Sequence, residues 1–322
     1  MTRVLDVENL RVSFPDAGGR RFYPVDGVSF RLDRGKTLAI VGESGCGKSL
    51  TSLALLRLIP PPGRIDEGSR IRLEDTDLLA LKSEDLRQVR GRRIGMIFQD
   101  PMTSLNPVFT VGNQIAEGIL AHLPVSKTQA RDRALQLLQE VGMPDAPARL
   151  DAYPHQLSGG MRQRVMIAIA LAAEPDILVA DEPTTALDVT VQAQILEVLD
   201  QLRARRGMAV LLITHDLGIV AGRADRVAVM YAGQFVEEAS TSDLFALPSH
   251  PYTQGLFASV PRISGPVQRL APIPGTVPPA AAWPSGCRFR PRCPKAFEKS
   301  HTEPPMLPVG PGHTMRCWLA EE

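Results

Sequence analysis

The segment Val41-Gly42-Glu43-Ser44-Gly45-Cys46-Gly47-Lys48-Ser49 constrains this chain more than any other stretch. The pattern G-x-x-x-x-G-K-S/T runs from Gly42 to Ser49. The apolar run Thr37 to Val41 before it reads as a buried strand. The segment after Ser49, with Leu53, Leu55, Leu56 and Leu58, reads as a helix. A strand-to-helix turn rich in glycine lets successive backbone N–H groups point at phosphate oxygens, and the helix adds its positive dipole end. In such a loop Ser44, Gly45, Cys46 and Gly47 line the phosphates. Lys48 reaches the β- and γ-phosphates, and the Ser49 hydroxyl ligates Mg²⁺. The expected ligand is a nucleoside triphosphate.

Composition narrows the class further. The 322 residues are 44% hydrophobic and 22% charged, ordinary for a globular protein with one or two cores. A net charge of +1 gives no reason to expect nucleic acid as a partner. Met1 to Leu10 carries Asp6 and Glu8 without an apolar core, which does not read as a secretory signal. No apolar run approaches the ~20 residues of a membrane span. The nearest candidate, Val165 to Ala173, is short and follows Arg162 and Arg164. The expectation is a cytoplasmic protein that reaches a membrane only through a partner. Of four cysteines, Cys46 lies in the loop and three lie near the C-terminus. In a reducing compartment a structural disulfide is not their expected use.

Hydrophobic patterning predicts the architecture. Short alternating segments between Val4 and Phe30 read as antiparallel strands turning at Gly18-Gly19. Ile177 to Ala180, Val210 to Ile213 and Val227 to Met230 read as strands buried on both faces, as in a parallel sheet. Val191, Ile195, Val198, Leu199 and Leu202 recur at helical spacing up to Gly207. Residues 107–173 read as an inserted helical subdomain, with Ala134, Leu137, Leu138 and Val141 on one stripe. Pro272 to Pro284 reads as an irregular connection. There is no internal repeat and no heptad pattern. The expected fold is α/β, a phosphate-loop NTPase core with an antiparallel β flank, a helical insertion and a small C-terminal extension.

Two further motifs carry chemistry. Ile177 to Pro183 is an apolar strand ending in Asp181 and Glu182, which suits a Mg²⁺ shell and a group that polarises water. Alone, an acidic turn after a strand would explain it equally well. Leu157-Ser158-Gly159-Gly160-Met161-Arg162-Gln163 is more specific. Ser158 is a good N-cap for a helix over Met161 to Ala173, and the glycines leave backbone N–H groups bare toward an anion. Here the sequence resembles the ATP-binding cassette (ABC) ATPases, whose signature is LSGGQ-like. Met161 stands where Gln is usual, as in the peptide-importer branch.

The resemblance covers essentially the whole chain, and it implies roles for further residues. Gln99, after a strand over Ile94 to Phe98, matches the Q-loop glutamine near Mg²⁺ and the attacking water. Asp188, in Ala186-Leu187-Asp188, matches the D-loop that communicates across a dimer. His215 matches the switch histidine at the γ-phosphate, and Phe14 matches the aromatic that stacks on adenine, with Phe22 and Tyr23 close by in sequence. In the family two cassettes pack head to tail. Ser158, Gly159, Gly160 and Gln163 then act on ATP held by the partner's phosphate loop. The implied division is a nucleotide-binding domain over 1–235 and an extension over 236–322.

Three stretches resemble the dipeptide and oligopeptide importers in particular: Gln99 to Pro107, His250-Pro251-Tyr252-Thr253 followed by Gly255-Leu256, and a tail with Gly286-Cys287 and Pro291-Arg292-Cys293-Pro294. This implies an ATPase at the cytoplasmic face of a membrane. Its partners would be a second, distinct ATPase subunit, two transmembrane permease subunits and an extracytoplasmic peptide-binding protein, with no nucleic acid. Another small solute, such as nickel, glutathione or an opine-like compound, is the alternative cargo. A soluble cassette acting on nucleic acid or ribosomes is the second reading. Some relatives carry a 4Fe-4S iron-sulfur cluster in the tail. Cys287, Cys293 and Cys317 match three of its ligands, but Ser300 stands at the fourth position with His301 beside it. A cluster, a Zn²⁺ site of three Cys and His301, and plain thiols all stay open.

Overall fold

The computed structural model describes residues 3–100, 104–185, 187–259 and 272–321. Pro101 to Thr103 of the stretch after Gln99, and Ala186 before Asp188, lie outside the described residues. The chain forms two compact units. One comprises Met1–Val4, Leu32–Lys36 and Ala80–Leu212, the other Leu5–Arg31, Thr37–Leu79 and Ile213–Glu322.

In the first unit, strands Ile94–Ile97 and Ile177–Asp181 pair in parallel, Ile94 opposite Ile177 and Ile97 opposite Ala180. Ile177, Leu178 and Val179 are fully buried. Each contributes about 1.5–3 kcal/mol of burial free energy, which is why the run is uniformly apolar. Helix Gly159–Ala170 lies close against this pair. A Cβ on Gly95 would stand 2.3 Å from the Ala170 carbonyl oxygen, so only glycine permits the approach. The expected helical stretch contains Val111–His122, Lys127–Glu140, Ala146–Arg149 and Gly159–Ala170. Thr110 caps the first of these, and Ser126 with Gln129 forms a capping box on the second. Ala130, Ala134, Leu137, Leu138 and Val141 are all fully buried, the stripe that the spacing predicts. Helix Val189–Arg206 ends on Gly207 in the left-handed conformation (φ 61°).

An ion-pair corner closes this unit. Asp176 accepts from Arg93 and from Arg34. Burial alone would raise its pKa, but the two guanidinium groups outweigh burial and hold it below the usual carboxylate range. A lowered folded pKa means stabilisation that is present above the unfolded value of about 3.9 and is lost as pH falls through the folded value. Both arginines are partly open to solvent, which limits the effect to about 1 kcal/mol. Asp176→Asn should lower the melting temperature at neutral pH. In melts near pH 2 the gap to the native chain should close. A gap independent of pH would mean that the side chain acts only through packing.

In the second unit, strands Arg3–Pro15 and Arg21–Asp33 turn at Gly18-Gly19 as expected, and Arg70–Leu73 pairs antiparallel with the first, Leu5 opposite Leu73. A second sheet starts with Thr37–Val41, fully buried and parallel to Arg226–Tyr231. Gln234–Ser240 then pairs antiparallel with Arg226–Tyr231. The tail strand His313–Met315 adds to Gln234–Ser240, Met315 opposite Glu237, and Leu307–Gly310 adds to that. These tail strands are not legible in the sequence. They are short, contain Pro308 and Gly310, and owe their pairing to a partner strand far away along the chain. Buried Glu237 ties the junction by accepting from the Ser249 and His250 N–H groups and from His313 Nε2. Among the described residues, no helix is long and apolar enough to cross a membrane.

Candidate functional site

The phosphate-type loop belongs to the second unit. Its shape depends on two glycines at places where a side chain has no room. A Cβ on Gly42 would stand 2.2 Å from the Met230 carbonyl oxygen, and one on Gly47 would stand 2.4 Å from that of Pro24. Helix Lys48–Leu55 begins directly after Gly47 (φ 109°), and no side chain caps it. Ser, Thr, Asp or His side chains cap most other helices here, for example Thr110, Ser126, Ser158, Asp188, Asp216, Ser240 and His250. A helix start of bare N–H groups, with no acidic residue in its first turn, is built to receive an anion. Ser44 and Gly45 are exposed on the rim. Lys48 is buried, and its Nζ donates to the carbonyls of Gly42 (2.8 Å) and Glu43 (3.0 Å), which holds the ammonium at the loop's centre. Cys46 is fully buried. Burial raises its thiol pKa against the opposing pull of Lys48, so it packs as a neutral group.

Glu43 has two partners far away along the chain. Its N–H donates to the Tyr252 hydroxyl (2.9 Å), and its Oε2 accepts from Arg292 Nη1 (2.9 Å). The only available signal was that both residues lie in the stretches His250 to Thr253 and Pro291 to Pro294. His215 follows strand Ala209–Thr214 and is exposed. Asp216 beside it caps the helix Leu217–Ala221 through the Gly218 N–H (2.7 Å). Phe14 stacks on Phe22, with ring centroids 6.1 Å apart, and a Cβ on Gly63 would stand 2.5 Å from the Phe14 ring. The Phe14 ring is therefore already in a packed aromatic pair.

The carboxylate constellation belongs to the first unit. The parallel register of Ile94–Ile97 with Ile177–Asp181 brings the residues after both strands side by side. Gln99 Nε2 donates to Glu182 Oε2 (3.0 Å), and Thr185 Oγ1 donates to the same oxygen (2.9 Å). Two residues 83 apart in sequence thus meet on one carboxylate. Glu182 has φ +47°, a left-handed conformation that a non-glycine residue adopts at a cost of about 1–2 kcal/mol and that aims the side chain off the strand end. Asp181 is buried as the last residue of its strand.

Ser158 caps the helix Gly159–Ala170 through the Met161 N–H. Asp188 caps Val189–Arg206 through the Val191 N–H (3.0 Å). The two helix starts are neighbours, because a Cβ on Gly160 would stand 2.6 Å from Val191 Cγ1. Gln163 lies on the buried side of its helix, away from the exposed Ser158 and Gly159. Within the first unit Asp181 and Gln99 offer a carboxylate and an amide oxygen, and within the second Ser49 offers a hydroxyl; each is an oxygen donor of the kind that suits Mg²⁺.

The described residues of the tail do not gather a metal-binding group. Among the described residues, no three His, Cys, Asp or Glu side chains group so that they could hold a metal ion. His301 Nδ1 is 3.0 Å from Arg290 Nη1. Ser300, at the fourth cluster position, is buried and receives the Phe297 N–H (3.2 Å). Cys287 and Cys293 pack against a hydrophobic cluster that includes Tyr231, Tyr252 and Phe289. Burial raises both thiols, which pack there as neutral side chains. The expectation of a 4Fe-4S cluster or Zn²⁺ in the tail therefore finds no support.

Comparison with known proteins agrees with this geometry. A family model described as "ABC transporter" matches residues 25–185, and one described as "Oligopeptide/dipeptide transporter, C-terminal region" matches residues 236–299. The oligopeptide transport ATP-binding protein AppD of Bacillus subtilis is 52% identical, over 100% of this chain and 98% of its own length. The dipeptide transport ATP-binding protein DppD of Haemophilus influenzae is 51% identical, over 94% of this chain and 92% of its own. Among solved structures, the dimeric post-hydrolysis state of the ATP-binding cassette MJ0796, bound to ADP and Pi, superposes with a TM-score of 0.66 at 27% identity, covering 74% of this chain and 98% of that one. The cassette cbiO1 from Clostridium perfringens gives 0.65 at 27% identity, covering 77% and 92%.

Proposed function

The chain belongs to the ABC transporter family, and from that premise we propose that it is the ATP-hydrolysing subunit of an importer of di- and oligopeptides. The observation that carries the peptide reading is the C-terminal match over residues 236–299, on top of the cassette match over 25–185. The same two matches support a nucleotide-binding domain over 1–235 with an extension over 236–322.

ATP is the substrate, and the loop Gly42 to Ser49 binds its phosphates. Ser49, Asp181 and Gln99 are the residues that would hold Mg²⁺, and the ion would supply positive charge against the phosphates. Glu182 takes a proton from the attacking water as that oxygen bonds the γ-phosphorus. The bond to the bridging oxygen breaks, and ADP leaves with the electron pair. The Gln99–Glu182 hydrogen bond supports this assignment, since it holds the carboxylate beside the residue that would also face the water. His215 contacts the γ-phosphate, and Phe14 or its stacked neighbour Phe22 meets the adenine. Ser158, Gly159 and Gly160 close on ATP bound by a second ATPase subunit, while buried Gln163 supports their helix. Asp188 couples the two sites. The second ATPase is a distinct chain, and the pair sits on the cytoplasmic face of two permease subunits fed by an extracytoplasmic peptide-binding protein.

The test is uptake of a labelled dipeptide and a labelled pentapeptide in the host cell, with the native chain and with Glu182→Gln. Loss of uptake of either peptide is the expected result. Unchanged uptake of both, with hydrolysis confirmed dead, would overturn the peptide assignment.

A further inference from the structure

The C-terminal extension reaches back to the phosphate-type loop within the second unit, and it does so through residues of the two stretches that mark the branch. Tyr252, the second residue of helix Pro251–Ala258, is fully buried and accepts the Glu43 N–H (2.9 Å). Arg292 donates from Nη1 to Glu43 Oε2 (2.9 Å), and its side chain is only 7% exposed. Other donors of Arg292 bond the extension itself. Nε bonds the Pro274 carbonyl (2.8 Å), and Nη2 bonds that of Gly275 (3.2 Å). The guanidinium also lies over the Tyr231 ring, 5.7 Å from its centroid.

A second line of contact runs to the other end of the loop. Arg288 Nη1 donates to the Ala232 carbonyl (2.6 Å), and its guanidinium lies over Trp283 (4.1 Å). The Trp283 ring leaves no room for a Cβ on Gly233, and the Gly233 N–H donates to the Cys46 carbonyl (2.8 Å). The loop is thus held from outside at Glu43 and at Cys46, on either side of the exposed Ser44 and Gly45. A glycine-rich loop has many conformations available, and receiving phosphate requires one of them. Ordering it beforehand lowers the cost of binding. The Arg292–Glu43 pair is the charged member of this arrangement and links loop and extension directly.

We propose that Arg292 and Tyr252 are positioning residues for nucleotide binding, latching Glu43 so that the phosphate loop is pre-shaped by the C-terminal extension. The proposal rests on the reading of Gly42 to Ser49 as the ATP loop. In it, the extension is a part of the nucleotide site that acts through Glu43 without touching ATP.

The test is titration of the full-length chain with trinitrophenyl-ATP and Mg²⁺, alongside thermal melts. Glu43→Gln removes the charge from the loop side alone, and Arg292→Gln removes it from the extension side. Each should weaken binding by about 10-fold, the scale of a charge-assisted hydrogen bond. The double variant should bind no more weakly than the weaker single, because both remove one shared interaction. Arg292→Lys should recover part of the loss, and Tyr252→Phe, which deletes one hydroxyl, should cost a few-fold. Folded single variants that bind as tightly as the native chain would overturn the latch, and so would a double variant whose losses simply add. If Arg292→Gln does not fold, Glu43→Gln and Tyr252→Phe decide by the same criterion. Lys48→Ala separates the two levels. If it binds normally, the reading of the loop itself fails. If it abolishes binding while Glu43→Gln and Tyr252→Phe bind normally, only the latch fails.

Discussion

Glu182→Gln should slow ATP hydrolysis by about 10²–10⁴-fold, the usual contribution of a positioned general base, and leave ATP binding unchanged. The replacement is isosteric. It keeps an oxygen that can accept from Gln99 or Thr185, both of which now bond Glu182 Oε2, and it leaves the left-handed backbone as it is. What it removes is the capacity to accept a proton. Gln99→Ala should also slow hydrolysis, because it removes both the partner that orients the carboxylate and an amide oxygen proposed for Mg²⁺, but it leaves the base in place. Phosphate release from bound ATP and nucleotide titration on the same preparation separate the two steps. Hydrolysis by Glu182→Gln at the native rate would show that the base lies elsewhere.

Gly47→Ala should abolish nucleotide binding, and here the cause is steric. The added Cβ would lie 2.4 Å from the Pro24 carbonyl oxygen and 2.8 Å from Met230 Cε, at φ 109°. The methionine end can move. The Pro24 carbonyl is main chain within strand Arg21–Asp33, so relief has to come from the loop. Displacing Gly47 displaces the start of helix Lys48–Leu55 and with it the anion-facing N–H groups. The expected stability loss is about 3 kcal/mol, the range of a severe backbone conflict. Gly45→Ala is the control. Its φ is also positive (+79°), but nothing lies within 4 Å of the added Cβ. It should cost only the conformational term of about 1–2 kcal/mol. Thermal melts of the two variants test the ranking, and equal destabilisation would mean that crowding at Gly47 is not the cause.

Several parts of the architecture could be read directly from the sequence because their signals are local. Thr37 to Val41 and Ile177 to Asp181 are apolar at every position but the ends, so a strand buried on both faces is the natural outcome. The Ala130 to Val141 stripe has helical period, and Gly207 sits where a helix needs a left-handed residue. Ser158 was legible as a cap for the same reason, whereas the cap that Asp188 makes emerged only from the structure. Phe14 is different. A strand aromatic carries no mark of which face it takes, and the structure has it stacked on Phe22. For the tail cysteines, spacing suggested ligands, but spacing reports neither burial nor whether donors gather, and among the described residues no such donor set forms.

The sequence by itself determined which chemical groups this protein carries in consecutive order. The phosphate-loop pattern, the carboxylates at the strand end and the Ser-Gly-Gly helix start are short motifs, legible because a few consecutive residues set backbone shape and functional group together, although the carboxylates alone read equally well as an acidic turn. The tertiary structure alone decided which distant residues share an atom. Gln99 meets Glu182 because two parallel strands end in register. Arg292 meets Glu43 across 249 residues because the extension folds onto the loop. Such contacts depend on strand register and on the packing of whole elements, which are long-range quantities that no local pattern encodes.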